Sequence, residues 1–279
     1  MKIKFTTRFF IFGILSWLGL ASLAWAAADP SAAADKPWGE VKGRHFVVYY
    51  EAGADEDLAQ TLARRAEEYY DKIGVDTGYA RANKFWTWEE RAKIFLFSTR
   101  ESFLRNTGQP VWSGGYADRD SHTFRTKTII TFKQEQEFLD GLLPHEISHL
   151  ILHDFIPRAG QIPVWFDEGV AQLQEKSKRE MVRGMMRDLV LRKGEIPFNL
   201  FVRLDIRKER DPQKAGIFYA QSLSVVDYLR AQYGADAFGR LCRGLRDHRS
   251  FEEALSAAYP GVIENFSDLG KKWISSLNN

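Results

Sequence analysis

The sequence predicts an α+β protein, a small mixed sheet packed on helices and followed by a helical C-terminal part. Three observations predict it. Short aromatic and β-branched runs occur in the front half of the chain. Amphipathic helical patterns are interleaved with them. From Glu168 onward the apolar spacing is helical throughout. Strands first and helices after place a sheet and a helical layer around one core.

The elements follow in order. Residues 45–50 (HFVVYY) read as a strand from their aromatic and β-branched content. Leu58, Leu62, Ala66, Tyr69 and Ile73 recur at helical spacing, so residues 56–73 form an amphipathic helix that Gly74 should end. Residues 93–97 (KIFLF) form a second strand, and Ser98 with Glu101 offers a capping box for a short helix after it. Gly114-Gly115 interrupts the next segment, and residues 127–132 (KTIITF) form a third strand. Pro144 suits a first helical turn, so a helix begins near it. Further on, Gly234 is a helix stop before Ala235, and Ser250 with Glu253 forms another capping box.

Length and composition bound the function. A chain of 279 residues with 44% apolar and 27% charged side chains is long enough for a real core and has no long disordered composition. Lys2, Lys4 and Arg8 precede an uncharged apolar run over residues 9–28, and Ala24-Trp25-Ala26 supplies an A-x-A cleavage site. Residues 1–26 therefore read as a signal peptide, with an uncleaved membrane anchor as the alternative. The formal charge of +2 becomes −1 without those three residues, which argues against a nucleic-acid binder. The expected location is exported, periplasmic or secreted. Cys242 is the only cysteine, so neither an internal disulfide nor a cysteine-based zinc site is available. Any metal must be held by histidine and carboxylate.

The chemistry concentrates in residues 138–155, FLDGLLPHEISHLILHDF. Apolar residues surround the later turns on nearly every side, so the helix is buried. Burying His145, Glu146 and His149 there is costly unless a cation compensates. Histidines four apart lie on one helix face and can converge on one ion, with nitrogen–metal bonds of about 2.0–2.1 Å. Glu146 is displaced around the helix, away from a ligand position but within reach of a metal-activated water. This is the H-E-x-x-H arrangement. For the third ligand, His153 lies too far along the helix and reads as a capping or surface group. The position six after His149 is Phe155, and Leu152 replaces glycine, which excludes the longer three-histidine pattern. Glu168 remains, at the start of the helix that follows Pro163 and Trp165.

HEISH, followed nineteen residues after its second histidine by the glutamate of WFDEGVA, resembles the gluzincin clan of zinc metallopeptidases. The peptidase MA-like family and its minigluzincin relatives are the nearest in pattern. The resemblance extends from about residue 46 to 273, and includes FYAQSLSVVDYLRAQYG (218–234) and SFEEAL. It implies a zincin-like metal-binding domain over residues 38–178 and a helical subdomain over 179–279. It implies that His145, His149 and Glu168 hold Zn²⁺, and that Glu146 takes the proton of a water whose pKa the metal lowers toward about 7. Tyr219 is the candidate oxyanion donor, the other reading being a core aromatic. Asp167 and Gln172 are candidates for orienting the histidines. Some gluzincins carry an acidic residue where this chain has Gln172, four positions after the glutamate.

Two further segments carry expectations. Residues 114–117 (GGYA) read as an edge strand able to hold an extended peptide, or else as a simple turn. Residues 176–210 hold eleven basic and five acidic residues, with Met181, Met185, Met186, Leu189 and Val190 as an apolar face. Such a helix can lie on an anionic membrane as a peripheral contact, although a solvated helix with its apolar side in the core is the commoner case. The expected function is an exported zinc-dependent hydrolase acting on a peptide or protein substrate. A zinc-stabilised extracytoplasmic binding or scaffold protein is the alternative. Glu146 separates the two, because a purely structural zinc has no use for a base beside it.

Overall fold

The computed structural model describes residues 38–78, 90–109, 115–119, 127–133, 138–156, 162–175 and 177–278. The leader segment 1–26, Gly114 and Lys176 lie outside them. Among the described residues, no helix is long and apolar enough to cross a membrane.

Five strands form one mixed sheet: β1 (Gly39–Lys42), β2 (Phe46–Tyr50), β3 (Ala92–Phe97), β4 (Gly115–Arg119) and β5 (Lys127–Phe132). Their order is β1-β2-β3-β5-β4, with β2, β3 and β5 parallel and the outer strands antiparallel to their neighbours. Alternation across the pleat explains the near-continuous apolar runs, since both faces are covered. Phe46, Val48, Ile94, Leu96 and Ile129 face the main core. Phe95, Phe97, Ile130 and Phe132 face the other way, onto Phe103 of α2 (Arg100–Thr107). β1 was not foreseen, because GEVK is short and half exposed.

Two sequence expectations at helix ends are corrected. Helix α1 (Glu56–Thr77) runs past Gly74, which is buried inside it, and ends at Gly78 with φ +78°. A left-handed terminal residue rather than the first glycine sets the stop. The cap of α2 is Thr99, whose hydroxyl accepts from Ser102 N at 3.1 Å. Ser98 lies one residue outside the cap position, and its hydroxyl donates to Glu51 at 2.6 Å.

The chain then passes through a π-helical turn (Phe138–Leu142) into α3 (Leu143–Phe155), with Pro144 in its first turn as expected. Helix α4 (Val164–Leu173) follows, then α5 (Lys178–Leu191), α6 (Phe198–Phe201), α7 (Pro212–Arg246), α8 (Phe251–Ala258) and α9 (Phe266–Asn278). Gly234 breaks α7 with φ 80° and ψ 170°, and Ser250 with Glu253 caps α8 in both directions, as the sequence indicates. The whole is an α+β zincin-like fold.

Helix α4 is anchored at its first turn. Trp165 and Phe166 are fully buried. Both pack on Phe251, with ring centroids at 5.2 and 5.1 Å. Each buried aromatic contributes roughly 1.5–3 kcal/mol. Two such anchors set the position of the residues that follow, Asp167 and Glu168. The basic helix α5 divides its methionines. Val182, Met186 and Val190 enter the core, while Met181 and Met185 stay on the outside.

Candidate metal centre

Helices α3 and α4 bring the predicted residues together. His145 Nε2 lies 3.1 Å from His149 Nε2. Glu168 Oε2 lies 3.7 Å from the first and 3.9 Å from the second. Donors bound tetrahedrally at about 2.0–2.1 Å stand roughly 3.3–3.4 Å apart. The three atoms are therefore spaced as ligands to a single ion. All three residues are buried, and Glu146 beside them is fully so.

The remaining ring nitrogens face carboxylates. His145 Nδ1 is 2.9 Å from Glu175 Oε1, and His149 Nδ1 is 2.8 Å from Asp167 Oδ1. A carboxylate on Nδ1 fixes the tautomer that leaves the Nε2 lone pair pointing at an ion. Asp167 was expected in this role. Glu175 was not, though it falls seven residues, two helical turns, after Glu168. Gln172 orients no histidine. Its amide instead donates to the Glu168 carbonyl at 3.3 Å and to the Tyr219 carbonyl at 3.1 Å, tying α4 to α7. The supporting acid absent at Gln172 is thus supplied by Asp167 and Glu175.

His153 was expected as a capping or surface group, and the structure corrects this. Its Nε2 lies 2.7 Å from Asp167 Oδ2, and the residue is a quarter exposed. Arg207, on a 3-10 turn after α6, also escaped notice, since nothing local marks it. Asp205 grips its guanidinium at 2.7 and 3.1 Å, and the charges of Asp167 and Glu168 reach it.

The electrostatics follow from this crowding. Burial alone would lower the His145 imidazole. The hydrogen bond and charge of Glu175, with the charges of Glu146 and Glu168, raise it instead. Burial would raise Asp167 and Glu175. The two histidines hold Asp167 well below the ordinary carboxylate value, and His145 with Lys178 pulls Glu175 down. Tyr219, almost fully buried, is pushed up by burial and then by the charge of Glu168, so it stays a protonated donor. A carboxylate-rich, buried donor set of this kind fits a divalent cation.

Two outcomes follow. Glu175→Gln and Asp167→Asn should each weaken metal binding by about 10–100-fold, read by competition with a chelator. The Glu175–His145 pair should also shape the stability of metal-free protein. Glu175 is depressed from 4.5, so its contribution is complete above that value and fades as acid takes the pH through the lower folded one. His145 is raised from 6.5, so its contribution is complete below that and fades as pH rises past the folded value. Stability from the pair is greatest between the two limits. Thermal melts of the metal-free wild type should show both slopes, and melts of Glu175→Gln should show them flattened.

Fold and donor set together define a metallopeptidase-type site. The chain belongs to the Peptidase MA superfamily, whose family model matches residues 93–279, two thirds of its length. The match covers α3, α4 and every helix after them. No curated protein matches the chain.

Proposed function

We propose that the protein is an exported zinc-dependent peptidase of the gluzincin type, with Zn²⁺ held by His145, His149 and Glu168. One observation carries the reading: three buried donor atoms 3.1–3.9 Å apart, each histidine backed by a carboxylate. Zinc bound there would supply a Lewis acid for the scissile carbonyl and a water acidic enough to attack near neutral pH.

The chain's own residues do the rest. Glu146, fully buried beside His145, accepts the proton of the attacking water and passes it to the leaving amine. Tyr219 donates its hydroxyl to the oxyanion. Strand β4 lies at the sheet edge, and Gly115 sits against Leu142 at the entry to α3. An extended substrate adding to β4 would run past the metal centre. Asp167 and Glu175 keep the two imidazoles oriented through the reaction.

Elemental analysis of protein purified without chelators tests the metal. One zinc per chain is expected, and metal-free wild-type protein would sink the reading. Tyr219→Phe should lower kcat by about 100-fold with KM little changed, as for other lost oxyanion donors. An unaltered kcat would return Tyr219 to the core aromatics. A signal-cleaved N-terminus at residue 27 in the exported protein tests the location.

The basic segment supports a peripheral membrane contact as a lesser proposal. Four exposed large apolar side chains, Met181, Met185, Leu191 and Leu200, fall within it. Co-sedimentation with anionic but not neutral vesicles is expected, and no sedimentation with either refutes it.

A further inference from the structure

Helix α3 carries a third histidine on the same face, because residues 145, 149 and 153 are each one turn apart. The rings follow one another edge to face, with centroids 4.8 Å apart for His145 and His149, and 6.3 Å for His149 and His153. The N-terminal half of α4 addresses this row with two neighbouring carboxylates. Glu168 faces the Nε2 atoms of His145 and His149. Asp167 takes His149 Nδ1 on one oxygen and His153 Nε2 on the other, at 2.8 and 2.7 Å.

His149, His153 and Asp167 are close enough together to be weighed as a second metal group. The distances decide against an ion. Both contacts are ordinary charge-assisted hydrogen bonds, well inside the roughly 3.3 Å that separates two ligands of one tetrahedral ion. In addition, the nitrogen of His149 that faces Asp167 is Nδ1, while its Nε2 belongs to the first site. An N–H group sits on each line of approach.

We propose that His153 is a positioning residue of the metal centre, clamping Asp167 so that Asp167 holds His149 in the metal-binding tautomer and ring plane. The assignment rests on the reading of His149 as a metal ligand. The physical reason is rotational. A carboxylate anchored by one oxygen can still turn about its Cβ–Cγ bond and swing that oxygen away from its partner. Anchoring the second oxygen from the next turn of the same helix removes that freedom. It also leaves neither oxygen of a largely buried group without a donor. The chain His153–Asp167–His149 then fixes Nε2 from the far side of the ring. His153 touches neither metal nor substrate, so its effect must appear through the ion.

The test uses the full mature chain with His153→Leu, His153→Gln and Asp167→Asn, and the double variant D167N/H153L. Zinc affinity is measured by chelator competition, the visible spectrum after Co²⁺ substitution, and fold by melts of metal-free protein. His153→Leu should lose about tenfold in zinc affinity and shift the Co²⁺ bands. His153→Gln, which keeps an N–H donor, should recover most of both. In the Asp167→Asn background, adding His153→Leu should cost nothing further. Should His153→Leu not fold, His153→Asn replaces it, its amide being too short to reach Asp167. Wild-type affinity and spectrum in every His153 variant would overturn the proposal. So would equal losses in the leucine and glutamine variants, which would mark packing rather than a hydrogen bond. Wild-type protein that binds no zinc would instead overturn the metal reading itself.

Discussion

Glu146→Gln should retain one zinc per chain and lose peptide hydrolysis by about 10²–10⁴-fold, the range for removal of a general base. The two halves of that expectation come from different features. The atoms spaced for one ion belong to His145, His149 and Glu168, so under the proposed reading an amide at position 146 leaves the ligand set intact. The amide is nearly isosteric and cannot accept the water's proton. The side chain is fully buried, so bulk solvent is poorly placed to substitute as the base. His149→Ala gives the contrasting result. It removes a ligand and strands Asp167, whose Oδ1 loses its 2.8 Å partner. Zinc content and activity should then fall together. Elemental analysis beside a peptide-library assay separates the two variants. A Glu146→Gln protein with zinc and undiminished cleavage would remove Glu146 as the base, and wild-type protein that holds zinc but cleaves nothing would leave the scaffold alternative standing. Full activity in His149→Ala would remove the metal reading.

What is plainest in the sequence is what local spacing alone declares. His145 and His149 declare themselves by a spacing of four, and the apolar residues around them announce burial. Strands β2, β3 and β5 were equally plain, because burial on both faces makes each a largely apolar, β-branched or aromatic run. What escaped depends on tertiary contact. Whether Gly74 or Gly78 ends α1 is decided by the backbone conformation each adopts, which composition does not reveal. Ser98 looks like a cap, but the helix starts one residue later and Thr99 takes the role, while the Ser98 hydroxyl donates to Glu51, distant in sequence. Glu175 and His153 are ordinary polar residues near helix ends until α3 and α4 pack and turn them toward His145 and Asp167. The departure at Gln172 looked like a missing support. It is a relocation, with the acid moved to positions 167 and 175 and the amide used to hold α7.

Gly169→Ala should be the most disruptive single-methyl change near the site, and the reason is a helix crossing. A Cβ at Gly169 would lie 2.5 Å from the Ser222 carbonyl oxygen and 2.5 Å from Val226 Cγ2. The carbonyl belongs to the backbone of α7, so no rotamer change relieves the clash. Gly169 sits inside α4, where alanine is otherwise the better helix former by roughly 1 kcal/mol. Propensity therefore predicts stabilisation and packing predicts the opposite. Packing wins, because the contacts fall about 1 Å short of normal van der Waals distance on a backbone atom. Overpacking of this kind costs about 1–3 kcal/mol. Relief requires α4 to back away from α7. Trp165 and Phe166 resist that movement at one end of α4, and Gln172 resists it through the Tyr219 carbonyl at the other. The strain consequently falls on the turn between them, which carries Asp167 and Glu168. The expected variant folds, melts several degrees lower, and binds zinc more weakly than the stability loss alone would require. Weakened binding arises because Glu168 is displaced from the two histidines. Melts with and without zinc measure both effects. A variant with normal zinc affinity would show that α4 moves as a rigid unit with α3, and an unchanged melting temperature would show that the crossing is looser than the 2.5 Å approach implies.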